Sequence, residues 1–133
     1  MLNPSTADAE VDDPTIRRCI GFARRDGITT MAVANLFAAR ETASRLLRMW
    51  VDPVGPDNDR HLFAMAGWAD EVVVAWGARS KLPKAWRHRE QEVLGLLPAG
   101  VFCLGTTKDG SPNHPLFLPA GQPLVPYREA AHA

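Results

Sequence analysis

Apolar positions along the chain fall into two kinds of run. In the first kind they recur every three or four residues, which predicts an amphipathic helix. Ile16, Cys19, Ile20 and Ala23 form such a stripe, with Arg17, Arg18, Arg24 and Arg25 opposite it. Asp13 is an N-cap, Pro14 suits the first helical position and Gly27 ends the run, so a helix is expected from Pro14 to Arg25. Further helices are expected over Ala43–Trp50, Asp57–Ala69 and Ala85–Leu97. Leu62, Phe63, Met65, Ala66 and Ala69 are available for burial on one, and Trp86, Val93, Leu94 and Leu97 on another. In the second kind of run the apolar residues are continuous. Thr30–Phe37, Glu71–Trp76 and Val101–Leu104 read as short buried strands. The unbroken EVVVAW suits a parallel sheet covered on both faces. Gly105 to Tyr127 carries five prolines and reads as extended and irregular.

Strands alternating with helices predict a single three-layer α/β/α domain over residues 1–133 with a mainly parallel sheet. Met1 and Leu2 read as the last two residues of a buried first strand whose body is absent, so a truncated or misassigned start is expected. An unpaired sheet edge invites association, which makes a homodimer through that edge a further expectation.

Composition narrows the class without naming a function. Apolar residues make up 46% of the 133 and charged residues 23%, as in ordinary globular domains. No apolar run approaches the ~20 residues of a membrane span, and no signal-peptide pattern heads the chain. Cys19 and Cys103 sit in apolar surroundings, so reduced thiols, a cytoplasmic location and no membrane partner are expected. Two cysteines and four scattered histidines give no zinc spacing, and neither metal nor cofactor is expected. Fifteen basic residues balance fifteen acidic ones, so whole-chain charge does not favour strong nonspecific nucleic-acid binding. Two basic clusters stand out, Arg17 to Arg25 and Lys81 to Arg89. Each reads as a solvated helix face, unless both converge on one cleft, where they would suit a phosphate-bearing ligand.

Candidate chemistry gathers at strand ends, where open α/β sheets bind ligands. Asn3-Pro4-Ser5 is turn chemistry that clusters an amide and hydroxyls with the Asp8 carboxylate. Asn35 closes the second strand, Gly77 to Lys81 follows the third, and Thr106 to His114 follows the fourth. Asn35 reads either as a satisfied core amide or as a reader of a base edge, and both readings demand partners. Phe37, two residues beyond on the same strand face, is either a pocket wall or a core residue. His114, between Asn113 and Pro115, reads as a loop histidine bonded to backbone or as a donor to a developing anion. Lys108-Asp109-Gly110 reads as a turn. The four tryptophans read as core or helix-packing residues. No P-loop, dinucleotide fingerprint, nucleophile elbow or zinc deaminase signature is present.

The strings MLNPSTAD, DDPTIRRC, NLFAAR, DPVGPDND, AWG and CLGTTKDGSPNHPL resemble a bacterial and archaeal domain family of unknown function over nearly the whole chain. More distantly, the layout resembles the uracil-DNA glycosylase superfamily. Those enzymes carry an Asn-Pro or Asp-Pro turn after the first strand, an Asn-Leu string near the second and a His-Pro turn after the last. The resemblance implies that Asn3 and Asp8 position a water, Asn35 reads the base and His114 stabilises the leaving base. Strand-end placement adds Pro4, Ser5, Phe37, Thr106, Lys108 and Asn113 as expected binding residues around them. Leu116 stands where the superfamily's His-Pro-Ser loop has its hydroxyl, and no long wedge loop is evident.

Two classes of function follow. One is a hydrolase of a nucleobase–sugar bond in nucleic acid or in a nucleoside derivative. The other is a non-catalytic module that binds a base or nucleotide in the same cleft. A partner-binding structural domain is a third reading.

Overall fold

The computed structural model describes residues 1–2, 13–39 and 44–128. Helix α1, Pro14–Arg25, has the bounds its caps predict. The Asp13 carboxylate accepts from the amides of Thr15 and Ile16 at 2.8 and 3.3 Å. At the other end Gly27 takes a φ of +72° and the Ile28 amide turns back to the Ala23 carbonyl at 2.9 Å. Helix α2 is Asn58–Trp68 and helix α3 is Arg89–Leu96. Short 3₁₀ turns cover Ser44–Met49, Arg79–Lys81, Lys84–Trp86 and Pro115–Phe117. The expected start of the third major helix at Ala85 is therefore a separate turn. The Trp86 amide bonds the Pro83 carbonyl at 2.9 Å in a three-residue step, and α-helical winding begins only at Arg89.

The sheet has three strands in the described residues, β1 Val73–Val74, β2 Val101–Cys103 and β3 Val125–Arg128, in the order β1-β2-β3. β1 and β2 are parallel, and β2 and β3 antiparallel. The sheet is thus mixed rather than mainly parallel, and the fold is α/β. The correction comes from the proline-rich tail, which ends in a strand. Pro126 weakens a strand signal, but β3 is an edge strand, where a missing N–H can be tolerated. The Arg128 guanidinium anchors β3 by donating to the carbonyls of Leu97, Pro98 and Ala99 at 3.3, 2.7 and 3.1 Å.

A second correction concerns Thr30–Phe37, which is not a strand of this sheet. Its C-terminal half pairs with the first two residues instead. The Met1 amine donates to the Ala34 carbonyl at 3.0 Å, and the amides of Leu36 and Phe37 donate to the carbonyls of Met1 and Leu2 at 2.9 and 3.0 Å. Ala38 and Ala39 then bond the carbonyls of Val54 and Pro53. Residues 30–33 have no such partner along their edge among the described residues, so the run does not register as a strand.

The core joins Leu36, Phe37, Leu47, Leu62, Val74, Trp76, Val93, Leu94, Val101 and Cys103. Phe63 and Trp68 on α2 face solvent at 66% and 61% exposure, so α2 buries a narrower stripe than expected, mainly through Leu62. Trp50 is exposed as well, which leaves Trp76 as the fully buried indole. Two charged side chains also lie in the core, Arg89 and Glu90, each 1% exposed. Glu90 accepts from Trp76 Nε1 at 2.6 Å and from Arg79 Nε at 2.7 Å. Arg89 donates to the Leu36 carbonyl at 2.8 Å and to Asp59 at 2.6 Å.

Candidate functional site

Both parallel strands end on glycines that accept one loop. Beyond β1, Gly77 has a φ of +90°, and its amide donates to the Pro112 carbonyl at 2.9 Å. A Cβ on Gly77 would sit 3.3 Å from the His114 Cβ, so a bare backbone is what lets the histidine approach. Beyond β2, the Gly105 carbonyl accepts from the Asn113 amide at 2.9 Å, and Asn113 Nδ2 donates to the Leu104 carbonyl at 3.1 Å. The segment Pro112–His114 is thereby hung from two strand ends at once. Residues 106–112 close above it as a turn, with Thr106 bridged to Pro112. Asp109 accepts from the Thr107 hydroxyl and the Ser111 amide, which together hold its carboxyl down to about 2. Lys108-Asp109-Gly110 is the turn expected, and Thr106 and Lys108 are exposed on it.

His114 is half-buried and its Nδ1 accepts from the Leu116 amide at 3.2 Å. In the neutral ring the proton therefore sits on Nε2, which is free to donate. Burial lowers the pKa of His114, and the Met1 ammonium and the Lys81 ammonium lower it further, while the Asp13 carboxylate acts in the opposite direction. These four groups share one electrostatic neighbourhood. It joins the chain start and the N-terminus of α1 to the His-Pro turn.

Asn35 sits at the end of the segment that pairs with Met1. Its carbonyl accepts from Asn58 Nδ2 at 2.9 Å, and the same amide reaches the Leu36 carbonyl at 3.1 Å. With Arg89 on Leu36, the backbone at Asn35 is held from both α2 and α3. The Asn35 side chain is half-buried and has no hydrogen bond among the described residues. It borders a cavity of about 930 Å³ that is also lined by Met1, Cys19 and Pro115. Phe37 is fully buried and packs edge-to-face on Trp86, with ring centroids 6.0 Å apart. Thr106, Lys108, Asn113 and His114 lie outside the cavity lining, with His114 next to it through Pro115. Asn3, Pro4, Ser5 and Asp8 lie outside the described residues.

Two of the α1 arginines, Arg18 and Arg25, are engaged by the tail. Arg18 donates to the Leu118 carbonyl, and Arg25 donates to the carbonyls of Ala120 and Gln122 while pairing with Asp26. Both guanidinium groups also lie over the Phe22 ring. They tie the tail to α1. In the second cluster Arg87 bonds the Leu82 carbonyl, His88 pairs with Glu92 at 2.8 Å and Arg89 is buried. No group of three His, Cys, Asp or Glu among the described residues could hold a metal ion. No described helix is long and apolar enough to cross a membrane.

The Met1 amine gives a pH prediction. Burial lowers it from 8.0 to about 6. Between those values the unfolded chain binds the proton and the folded chain does not, so stability rises with pH. Stability is therefore expected to fall by on the order of 2 kcal/mol as pH drops from 8 to 6, with only a few tenths of a kcal/mol more lost from this group as the folded amine finishes titrating below that. Urea titrations across this range check it, with the N-acetylated chain as control. An equal slope in the acetylated chain would exclude the amine as its source.

No curated protein and no solved structure matches the chain. A family described as protein of unknown function, DUF1643, matches residues 1–116, a span that takes in Asn35, both strand-end glycines and the His-Pro turn. With that span matched, the chain belongs to the DUF1643 family.

Proposed function

We propose that the strand-end cleft takes a nucleobase-containing ligand and that the domain is an N-glycosylase-like hydrolase. Its substrate is a nucleobase–sugar bond in nucleic acid or in a nucleoside derivative. The three-layer α/β/α arrangement of the uracil-DNA glycosylase superfamily belongs to the same reading. The observation that carries it is the seat of His114, held at two strand ends with Nδ1 accepting from the Leu116 amide, so that a neutral ring carries its proton on Nε2. In this reaction the bond between base and sugar breaks, and its electron pair leaves with the base. Negative charge gathers on a carbonyl oxygen of the base, where the Nε2–H of His114 donates a hydrogen bond. Water attacks the sugar carbon, oriented by Asn3, and gives its proton to Asp8. The Asn35 amide offers one donor and one acceptor to the edge of the base. Among the described residues its side chain has no hydrogen-bond partner, and it borders the cavity, which favours that role over a core amide.

The test is base release from a panel of modified nucleosides and of single- and double-stranded DNA carrying modified bases, followed by chromatography. Turnover of at least one substrate is expected, with Asn3→Ala lowering it about 100-fold while ligand binding is kept. Binding by the wild-type chain without turnover would leave the non-catalytic module. The absence of both would sink the cleft as a nucleobase site.

A further inference from the structure

Residues 76–79, Trp-Gly-Ala-Arg, leave β1 and are fastened at both ends by one carboxylate. Glu90 is fully buried, and its two oxygens accept separately, one from Trp76 Nε1 at 2.6 Å and the other from Arg79 Nε at 2.7 Å. Both are lengths of charge-assisted bonds. Glu90 stands in the first turn of α3, where the helix dipole favours a negative charge. Taking a carboxylate out of water is expensive, and an apolar residue of similar volume often serves stability as well. The carboxylate supplies geometry instead. Its two acceptors lie a fixed distance apart, so they set where Trp76 and Arg79 lie and, with them, the two residues between.

Gly77 is the first of those two, and the His-Pro turn rests on it. Its amide holds the Pro112 carbonyl, and a Cβ built on it would stand 3.3 Å from the His114 Cβ and 4.0 Å from Cγ and Cδ2. The Gly77 backbone is therefore the surface against which the imidazole lies. The other side of the same loop meets the clamp through Arg79, whose charge is felt by Asp109 and Tyr127. The Tyr127 hydroxyl in turn donates to the Gly110 carbonyl at 3.2 Å. Just past the clamp the Lys81 amide turns back to the Ala78 carbonyl at 3.0 Å, so the clamp also sets the start of the turn that carries Lys81 toward His114.

We infer that Glu90 is a positioning residue for His114. It holds residues 76–79 so that Gly77 supports the Pro112 carbonyl and the imidazole in one place. Glu90 acts only through Trp76, Arg79 and the glycine between them, and it does not line the cavity beside Asn35. The inference rests on the glycosylase reading for what the imidazole does, and not for where the imidazole is held.

The test replaces Glu90 by glutamine. Glu90→Gln keeps the size of the side chain and an acceptor for Trp76, but it sets an amide N–H against the Arg79 Nε–H, so the Arg79 end is released. Hydrogen exchange at the Gly77 amide is read against the Phe102 amide, which bonds the Val72 carbonyl at 2.9 Å and reports the stability of the sheet. Exchange at Gly77 is expected to speed up at least about tenfold more than at Phe102. The nuclear Overhauser contact between the Gly77 α-protons and the His114 ring should weaken with it. Arg79→Ala, at a partly exposed position, should act in the same direction by about threefold or more, and it decides alone if Glu90→Gln does not fold. Leu47→Ala, a core truncation that leaves the clamp whole, is expected to speed both amides alike. Parallel exchange of the two amides in the clamp variants, an unchanged contact between Gly77 and His114 in them, or the same selective change in Leu47→Ala overturns the inference. These readouts need no turnover, so a chain that releases no base would end the glycosylase reading without touching this one.

Discussion

Replacing Arg89 by alanine is expected to cost the fold about 3–5 kcal/mol, a large part of the about 5–15 kcal/mol that holds a domain of this kind together. Arg89 is 1% exposed and its side chain is among the largest that are fully buried. Three consequences of truncation add up. The long side chain leaves a cavity among core residues. The Leu36 carbonyl loses its 2.8 Å donor and keeps only Asn58. Asp59 loses its 2.6 Å partner, which matters least because Asp59 is half in water. The lysine replacement should recover part of the loss, since one ammonium can satisfy Leu36 or Asp59 but lacks the planar fork that reaches both. Urea unfolding with the m-value held constant measures this. A loss under about 1 kcal/mol for Arg89→Ala would mean that the buried guanidinium contributes little. The effect extends to the site, because Leu36 follows Asn35 directly. A variant that stays folded should bind any cleft ligand more weakly.

Arg89 and Glu90 also mark where the sequence was hard to read. Glu90 lies on the same helical face as Val93, Leu94 and Leu97, at spacings of three, four and seven. A charge inside an apolar stripe is a signal of a buried polar network, and it was there to be seen. Its partners were not, since Trp76 and Arg79 come from the other side of a strand end. Local chemistry, by contrast, was fully legible. Asp13, Pro14 and Gly27 delimit α1 to the residue, because capping is decided within a single turn.

The strands were legible as apolar runs but not as pairings. EVVVAW signals an interior strand, and the described residues give it only one neighbour, β2. TMAVANLF signals a strand and finds partners only beside Met1 and Leu2. Pairing depends on which chain segment lies alongside, and apolar content does not encode that. The tail strand was hidden for the opposite reason, since Pro126 argues against a central strand and is compatible with an edge. At the site, the gathering of polar residues at strand ends singled out His114 and Asn113 as candidates. The contact that seats them, the absent Cβ of Gly77 and Gly105, is visible only in three dimensions.

His114→Ala is expected to lower turnover on whichever base-release substrate the chain accepts by about 10²–10³-fold, with binding changed much less. The imidazole is asked to act only where charge develops on the leaving base, so its loss should appear in kcat rather than in KM. His114→Gln should recover part of the rate if its amide N–H can take the place of Nε2–H, though without the Leu116 amide to fix its orientation. The pH dependence separates this role from general acid catalysis. Burial first, and the Lys81 ammonium with it, hold the pKa of His114 below its ordinary value, so the ring gains its proton at a lower pH than an exposed histidine does. A neutral donor therefore predicts a rate that does not rise as pH drops through 6.5. An imidazolium acting as the acid predicts a rate that climbs there. A rate limb that climbs toward low pH and vanishes in His114→Ala would overturn the neutral-donor role, and an unchanged kcat in that variant would remove His114 from the chemistry.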